Sequence, residues 1–241
     1  TILSDNVTKW FERRGITQFT LRLMKVSEGM EWMPQTQKNE NTIQFNYFRN
    51  GELINTKFRD GAKNFKLVKD AEKVLYNLDS CHLSKEIIIV EGEIDALSFV
   101  EVGLHNVVSI PNGSTTGNVN LDYIDNCIEY FENKDKVYLA LDNDEPGINT
   151  RNEIIRRFGS KMCFIVDFKD CKDANEYLIK YGAENLKETI KVAKEIPIEG
   201  ISSVCDWQED FEDYLVNGMK KGFQTGLKSL DNVFSTYTGQ Y

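Results

Sequence analysis

The amino-acid sequence predicts an α/β protein: a parallel sheet with helices on both faces, preceded by a smaller α+β subdomain and followed by a helical linker. Three observations carry that expectation. From residue 85 onward, short Ile/Val-rich runs alternate with helix-like stretches, which is the pattern of a parallel sheet buried on both faces. Before residue 84, Asn50-Gly51 separates two β-prone runs, a hairpin signal. After residue 182, helical periodicity continues with no strand between.

The elements follow in order. Residues 4–14 read as a capped helix, with Ser4 or Asp5 as the cap, Val7, Trp10 and Phe11 on one face, and Gly15 ending it. Residues 42–49 and 52–58 are the hairpin strands. Residues 86–90 form the first buried strand and 94–102 a helix closed by Gly103. Residues 107–110 form the second strand, ended by Pro111-Asn112-Gly113, and 121–131 read as a helix. The third strand is 137–141, followed by a helix over 148–158 that Gly159 closes. The fourth strand is 162–166, followed by a short helix over 174–181. Residues 183–195 and 205–217 read as two further helices around a Pro197/Gly200 break. The expected divisions are 1–84, 85–182, 183–220 and 221–241, the last shifting toward Gly, Ser and Thr. Trp10, Trp32 and Trp207 are expected to be packing anchors, and His105 a surface or packing residue.

The chain has 241 residues and a net charge of −9, which argues against a general nucleic-acid glue. The charge is uneven: residues 1–80 carry +3, residues 81–180 carry −8 and residues 181–241 carry −4. Five cysteines include no C-x-x-C pair and accompany only two histidines, so neither a structural zinc site nor a disulfide framework is expected. Apolar runs such as Ile87–Val90 fall far short of the roughly 20 residues that span a bilayer. No charged-then-apolar leader opens the chain. The expected setting is cytoplasmic, with no membrane partner.

Open parallel sheets bind ligands at the carboxyl ends of their strands. Three acidic clusters fall at such ends: Glu91-Gly92-Glu93-Ile94-Asp95, Asp142-Asn143-Asp144-Glu145-Pro146-Gly147 and Asp170-Cys171-Lys172-Asp173. If their strands are near neighbours, these carboxylates converge and repel unless a cation neutralises them. Oxygen ligands without Cys or His favour Mg2+ or Mn2+, which would clamp phosphate oxygens. Gly92 and Gly147 suit positions where backbone approaches a ligand and helix N-termini favour anions. The plainer alternative is that these acids only cap helices.

At these residues the chain resembles a Toprim domain, with Glu91-Gly92 and Asp142-Asn143-Asp144 as the two motifs and Asp95 as the further acid of the first. Lys172-Asp173-Ala174-Asn175-Glu176 resembles the K-D-A-N-E stretch of phage and Twinkle-like bifunctional primase-helicases. The segment from Lys57 through Arg59 and Lys63 to Asn64-Phe65 is similar to their basic R-x-x-x-K-N-F stretch. The segment from Gly222 to Asp231 is similar to the opening of a DnaB-type helicase domain, so 221–241 is expected to begin such a domain.

The resemblance implies a DNA primase: the RNA polymerase part of a primase-helicase, in a bacterial cell or phage-infected host. It would make RNA primers on a single-stranded DNA template from ribonucleoside triphosphates. Asp142 and Asp144 would hold Mg2+ or Mn2+, with Asp173 a weaker third ligand. Glu91 would be general base or metal ligand. Asp95 would orient the first motif or a metal-bound water. Lys57, Arg59, Lys63 and Lys172 would contact triphosphate or template. Phe65 would stack on a base or belong to the core, and Asn112 or Ser114 would touch phosphate or simply form a turn. The expected partners include a helicase domain in cis and neighbouring subunits of a hexamer, reached through an amphipathic helix around residues 206–216. The chain shows no zinc-binding module and no G-x-x-x-x-G-K-[ST] loop, so ATPase activity is not expected of this stretch. Two alternatives remain: an inactive Toprim domain that binds DNA and braces a helicase, or a Toprim nuclease.

Overall fold

The computed structural model describes residues 3–111, 121–197, 207–218, 222–223 and 225–231. The chain divides into two compact units, residues 1–196 and 197–241.

The first unit begins with helices α1 (Asp5–Glu12) and α2 (Gln18–Leu23). Ser4 caps α1 by accepting the Val7 N–H, and Gly15 turns the chain at φ 71°. An antiparallel sheet follows in the order β1 (Ser27–Met33), β2 (Lys38–Arg49), β3 (Glu52–Arg59), β4 (Phe65–Leu67). Asn50 and Gly51 both take positive φ, 52° and 80°, which matches the right-handed twist of a two-residue hairpin turn. The sequence gives no signal for β1. It is a charged edge strand, exposed or half-exposed over most of its length, so no apolar alternation marks it.

The second sheet has the order β6-β5-β7-β8-β9. Strands β5 (Glu86–Val90), β6 (Val107–Ser109), β7 (Lys136–Ala140) and β8 (Cys163–Ile165) are parallel, and β9 (Lys194–Glu195) pairs antiparallel with β8. Ile87, Ile88, Ile89 and Val90 are fully buried. Each contributes about 1.5–3 kcal/mol by leaving water, so this run anchors the fold. The helices are α3 (Glu93–Glu101), α4 (Asp122–Asp125), α5 (Glu145–Phe158), α6 (Ala174–Tyr181) and α7 (Ala183–Lys191).

The two sheets share one core. Phe11, Leu21, Phe45 and Tyr47 belong to the same buried cluster as Ile88, Leu97 and Phe99. Thr17 and Thr20 hydroxyls both donate to Glu101, fixing the N-terminal helices on α3. Tyr76 exchanges backbone bonds with Ser109 at the edge of the parallel sheet.

Two helix expectations are corrected. The stretch 121–131 is only α4 plus a 3-10 turn over Ile128–Tyr130. Arg49 donates to the Asn126 carbonyl at 2.7 Å, which takes an acceptor that a continuing helix would use. The helix expected over 183–195 ends at Lys191, because Lys194 and Glu195 pair with Ile165 and Phe164. Residues 183–196 therefore lie on the parallel sheet, with Leu186 in its core.

In the second unit, α8 (Gln208–Asn217) and α9 (Lys228–Asp231) are described. Trp207 and Trp32 are exposed, unlike the packing anchors expected of them, whereas Trp10 is partly buried. Cys81, Cys127, Cys163 and Cys171 are buried and form no disulfide; Cys205, Asn112 and Ser114 lie outside the described residues. Among the described residues, no helix is long and apolar enough to cross a membrane.

Gly51→Ala should lower stability by about 1–2 kcal/mol, since an L side chain resists positive φ. Urea denaturation should show a lower midpoint at unchanged slope.

Candidate active site

The chain runs from β5 outward to β6 and from the adjacent β7 the other way to β8, and the crevice at such a switch point is where open sheets bind ligands. The register pairs Val90 with Ala140, and this sets Glu91 beside the Asp142 loop. The Asp142 N–H donates to Glu91 Oε1 at 3.2 Å. Two motifs 51 residues apart in sequence thus meet through a backbone hydrogen bond.

Gly147 makes that meeting possible. A Cβ there would overlap the Asp142 carbonyl and come within 2.6 Å of Glu91 Oε1. Gly92 plays a similar part: a Cβ would stand 2.7 Å from Asp95 Oδ2. The expectation that these glycines make room for a ligand is thereby refined, since the groups they admit are the protein's own carboxylates.

Each acid has a structural tie. Asp144 caps α5, accepting the Gly147 N–H at 3.1 Å. Asp173 caps α6, accepting the Glu176 N–H at 2.8 Å. Buried Asp95 accepts the Asn175 N–H at 3.0 Å, and the Asn175 amide donates onward to the Arg14 carbonyl and the Ser98 hydroxyl. The capping alternative is therefore correct for Asp144 and Asp173 at one oxygen each. Asp170 belongs elsewhere: Lys180 and Tyr181 bind it and hold its carboxyl down at about 2.

The electrostatics single out Asp142 and Asp95. Burial, then the nearby Glu91 charge, pushes the Asp142 carboxyl up to about 6, against the pull of Lys172. Burial, then Asp173 and Asp142, raises Asp95 well above the usual carboxylate range. Asp144 is held below that range despite partial burial, because Gly147 and Lys172 donate to it.

Lys172 pairs with two of the acids. Its ammonium sits between the two aspartates, 3.2 Å from Asp142 Oδ2 and 3.1 Å from Asp144 Oδ2. It also lines the cavity beside these acids. Lys57 is likewise engaged: it forms a buried ion pair with Glu93 at 2.9 Å, and Tyr47 donates to the same carboxylate.

The site also carries positive side chains. A cavity of about 620 Å³ is lined both by the acids Glu91, Asp95, Asp142 and Asp173 and by the cations Arg14, Lys57, Arg59 and Lys63. Arg14 and Arg59 both lie over the Trp10 ring, at 3.6 and 4.5 Å from its centroid. Burial, then their mutual repulsion in the case of Arg59, lowers the pKa of that guanidinium. Phe65 is not core; it is 40% exposed, with Lys57 and Arg59 near its ring. The Asp60 carboxylate accepts from the Asn64 backbone and side chain, shaping the loop that carries Lys63. Sequence reasoning missed Arg14. Its only sequence signal was the Arg13-Arg14-Gly15 helix end, which reads as an ordinary cationic C-terminus.

The donor set suits a hard divalent cation. Asp142 and Asp144 already share one positive group, and Mg2+ is commonly held by one or two carboxylates plus substrate phosphates. Among the described residues, no group of three or more His, Cys, Asp or Glu stands at metal-binding spacing. Asp142 and Asp144 are close enough to share the Lys172 ammonium, and Glu91 lies against the same loop.

Comparison with known proteins agrees with this geometry. A Toprim-like family profile matches residues 88–178, the span from β5 to α6. The chain is 33% identical over 99% of its length to the Arabidopsis thaliana Twinkle homolog protein, chloroplastic/mitochondrial, and 34% identical over 82% of its length to an Arabidopsis thaliana primase homolog protein. It spans 35% of the first and 62% of the second. The primase fragment of the bacteriophage T7 primase-helicase superposes with a TM-score of 0.60 at 25% identity, covering 74% of this chain and 72% of that one.

Gly147→Ala should destabilise the protein by about 1–3 kcal/mol through overpacking, whereas Gly61→Ala, with open space around it, should change little. Thermal or urea unfolding of both variants checks this.

Proposed function

This chain carries a Toprim domain and is homologous to Twinkle, primase-homologue and phage primase-helicase proteins, and from that premise we propose that it is the RNA polymerase part of a primase-helicase. Its fold and homologues support a primase role in DNA replication. The proposed reaction is Mg2+-dependent nucleotidyl transfer from ribonucleoside triphosphates, templated by single-stranded DNA. The 3′-hydroxyl oxygen bonds to the α-phosphorus, the bond from that phosphorus to the bridging oxygen breaks, and pyrophosphate leaves.

The observation that carries this reading is the mixed charge of one cavity: carboxylates at the ends of β5 and β7 line the same space as Arg14, Lys57, Arg59 and Lys63. A nucleoside triphosphate needs both kinds of charge. Its phosphates bear several negative charges that guanidinium and ammonium groups neutralise, and carboxylates alone would repel it. Arg14 and Arg59 are held by Trp10 and would bind phosphate oxygens without first ordering long side chains. Lys57, positioned by Glu93, would add a fixed positive charge.

Asp142 and Asp144 would hold a divalent cation, with Asp173 as a further acid at the rim. Such an ion supplies charge neutralisation at the phosphate and polarises the attacking hydroxyl. Glu91 lies against the Asp142 backbone, where its carboxylate would accept a proton or join the cation. Asp95 would act through Asn175 to hold the α3 and α6 N-termini together. We assign the helicase domain in cis, and neighbouring subunits of a hexamer, as partners. The exposed Trp207, Phe211 and Leu215 of the α8 segment support packing on another chain.

The test is incorporation of labelled ribonucleotides on single-stranded DNA with Mg2+. Asp142→Ala combined with Asp144→Ala should cut incorporation by on the order of 10³-fold while circular dichroism stays unchanged. Arg59→Ala should raise KM for the triphosphate by about tenfold with a smaller effect on kcat. Undiminished synthesis by the double aspartate variant would overturn the assignment. If the unaltered chain binds single-stranded DNA and incorporates nothing, the DNA-binding brace becomes the better reading.

A further inference from the structure

We propose that Lys172 is a built-in counterion that occupies the cation position between Asp142 and Asp144 when no metal is bound, and that the entering divalent cation must displace it. The inference rests on the reading of those two aspartates as the metal seat.

The geometry has two halves. The backbone around Lys172 is pinned: its N–H donates to Glu176 at 2.7 Å, its carbonyl accepts the Asn143 N–H at 3.2 Å, and the Asn143 amide donates to the Cys171 carbonyl at 3.3 Å. The lysine is therefore tethered to the loop that carries both aspartates. Its side chain, by contrast, is 57% exposed, and its ammonium bridges the two aspartates. A pinned backbone and an exposed side chain let the ammonium leave without disturbing the fold.

Charge decides why it sits there. Asp142, Asp144 and Glu91 are three carboxylates around one loop, and Asp142 is largely buried. With no cation, their repulsion would splay the loop. One ammonium offsets part of that charge at 3.1–3.2 Å. A divalent ion carries twice the charge and approaches carboxylate oxygens at about 2.0–2.1 Å, so it wins the exchange. Because the lysine is solvated, its bridges are weak enough to yield. The cost of displacing them lowers metal affinity, so Lys172 sets the concentration at which the site fills. Once released, the ammonium remains on the rim of the cavity that the proposed triphosphate enters.

The test measures Mn2+ binding to the 241-residue chain by calorimetry and by the loss of free Mn2+ signal in electron paramagnetic resonance. Lys172→Met keeps length and removes charge; it should bind Mn2+ about tenfold more tightly than the unaltered chain, a change on the scale of a charge-assisted hydrogen-bond pair. Lys172→Arg should stay near the unaltered chain. A second measurement needs no variant: Lys172 should acetylate faster when Mn2+ is present, as read by mass spectrometry, because the ammonium has left its carboxylates. If Lys172→Met binds Mn2+ no more tightly and labelling is unchanged by Mn2+, while Asp142→Asn with Asp144→Asn still abolishes binding, this inference alone is overturned. If the unaltered chain binds no Mn2+, or binds it independently of both aspartates, the metal seat itself is overturned, and the counterion role with it.

Discussion

The mutual repulsion of carboxylates gathered at the ends of two adjacent parallel strands is the constraint on which this site depends. Glu91 and Asp142 are forced together by the pairing of β5 with β7, and the hydrogen bond from the Asp142 N–H to Glu91 makes that proximity specific. Burial in the crevice removes the water that would screen them, which is why the Asp142 carboxyl is pushed up to about 6 and Asp95 higher than usual. The neighbouring features answer that strain. Gly147 and Gly92 remove the Cβ atoms that would block the approach, helix N-termini take one oxygen each from Asp144 and Asp173, and Lys172 lies between Asp142 and Asp144.

The cationic lining has a separate origin. It comes from the antiparallel sheet and from the end of α1, where Arg14 and Arg59 lie over Trp10 and Lys57 is paired with buried Glu93. The acidic and cationic residues are held in register by a core that runs from Phe11 and Phe45 through Ile88 to Leu97 and Phe99. A shared core matters here because a shift of a few ångströms between them would separate phosphate binding from metal binding. The Asp95–Asn175–Arg14 chain of hydrogen bonds is a direct polar link between them.

Much of the fold was legible where local signals were strong. The Ile87–Val90 run, the Asn50-Gly51 turn and the glycines closing α5 and α6 all act within a few residues, and the structure has these elements within one to three residues of where they were expected. Elements set by distant partners were not legible. The edge strand β1 carries charges and no alternation, α4 stops where Arg49 takes a carbonyl, and β9 exists only because β8 offers an open edge. Trp32 and Trp207 are exposed in this chain, since size and apolarity say what a side chain prefers and not what faces it.

By itself, the sequence determined the fold class, the alternation of strands and helices from β5 to α6, and the identity of Glu91, Asp142 and Asp144 as acids at strand ends, because these follow from patterns a few residues long. Only the tertiary structure decided which charges neutralise which: that Lys172 belongs to the aspartates, that Lys57 belongs to Glu93, and that Arg14 joins the site. The physical reason is that electrostatic pairing depends on through-space distance and burial, and both are set by how the two sheets pack, not by spacing along the chain.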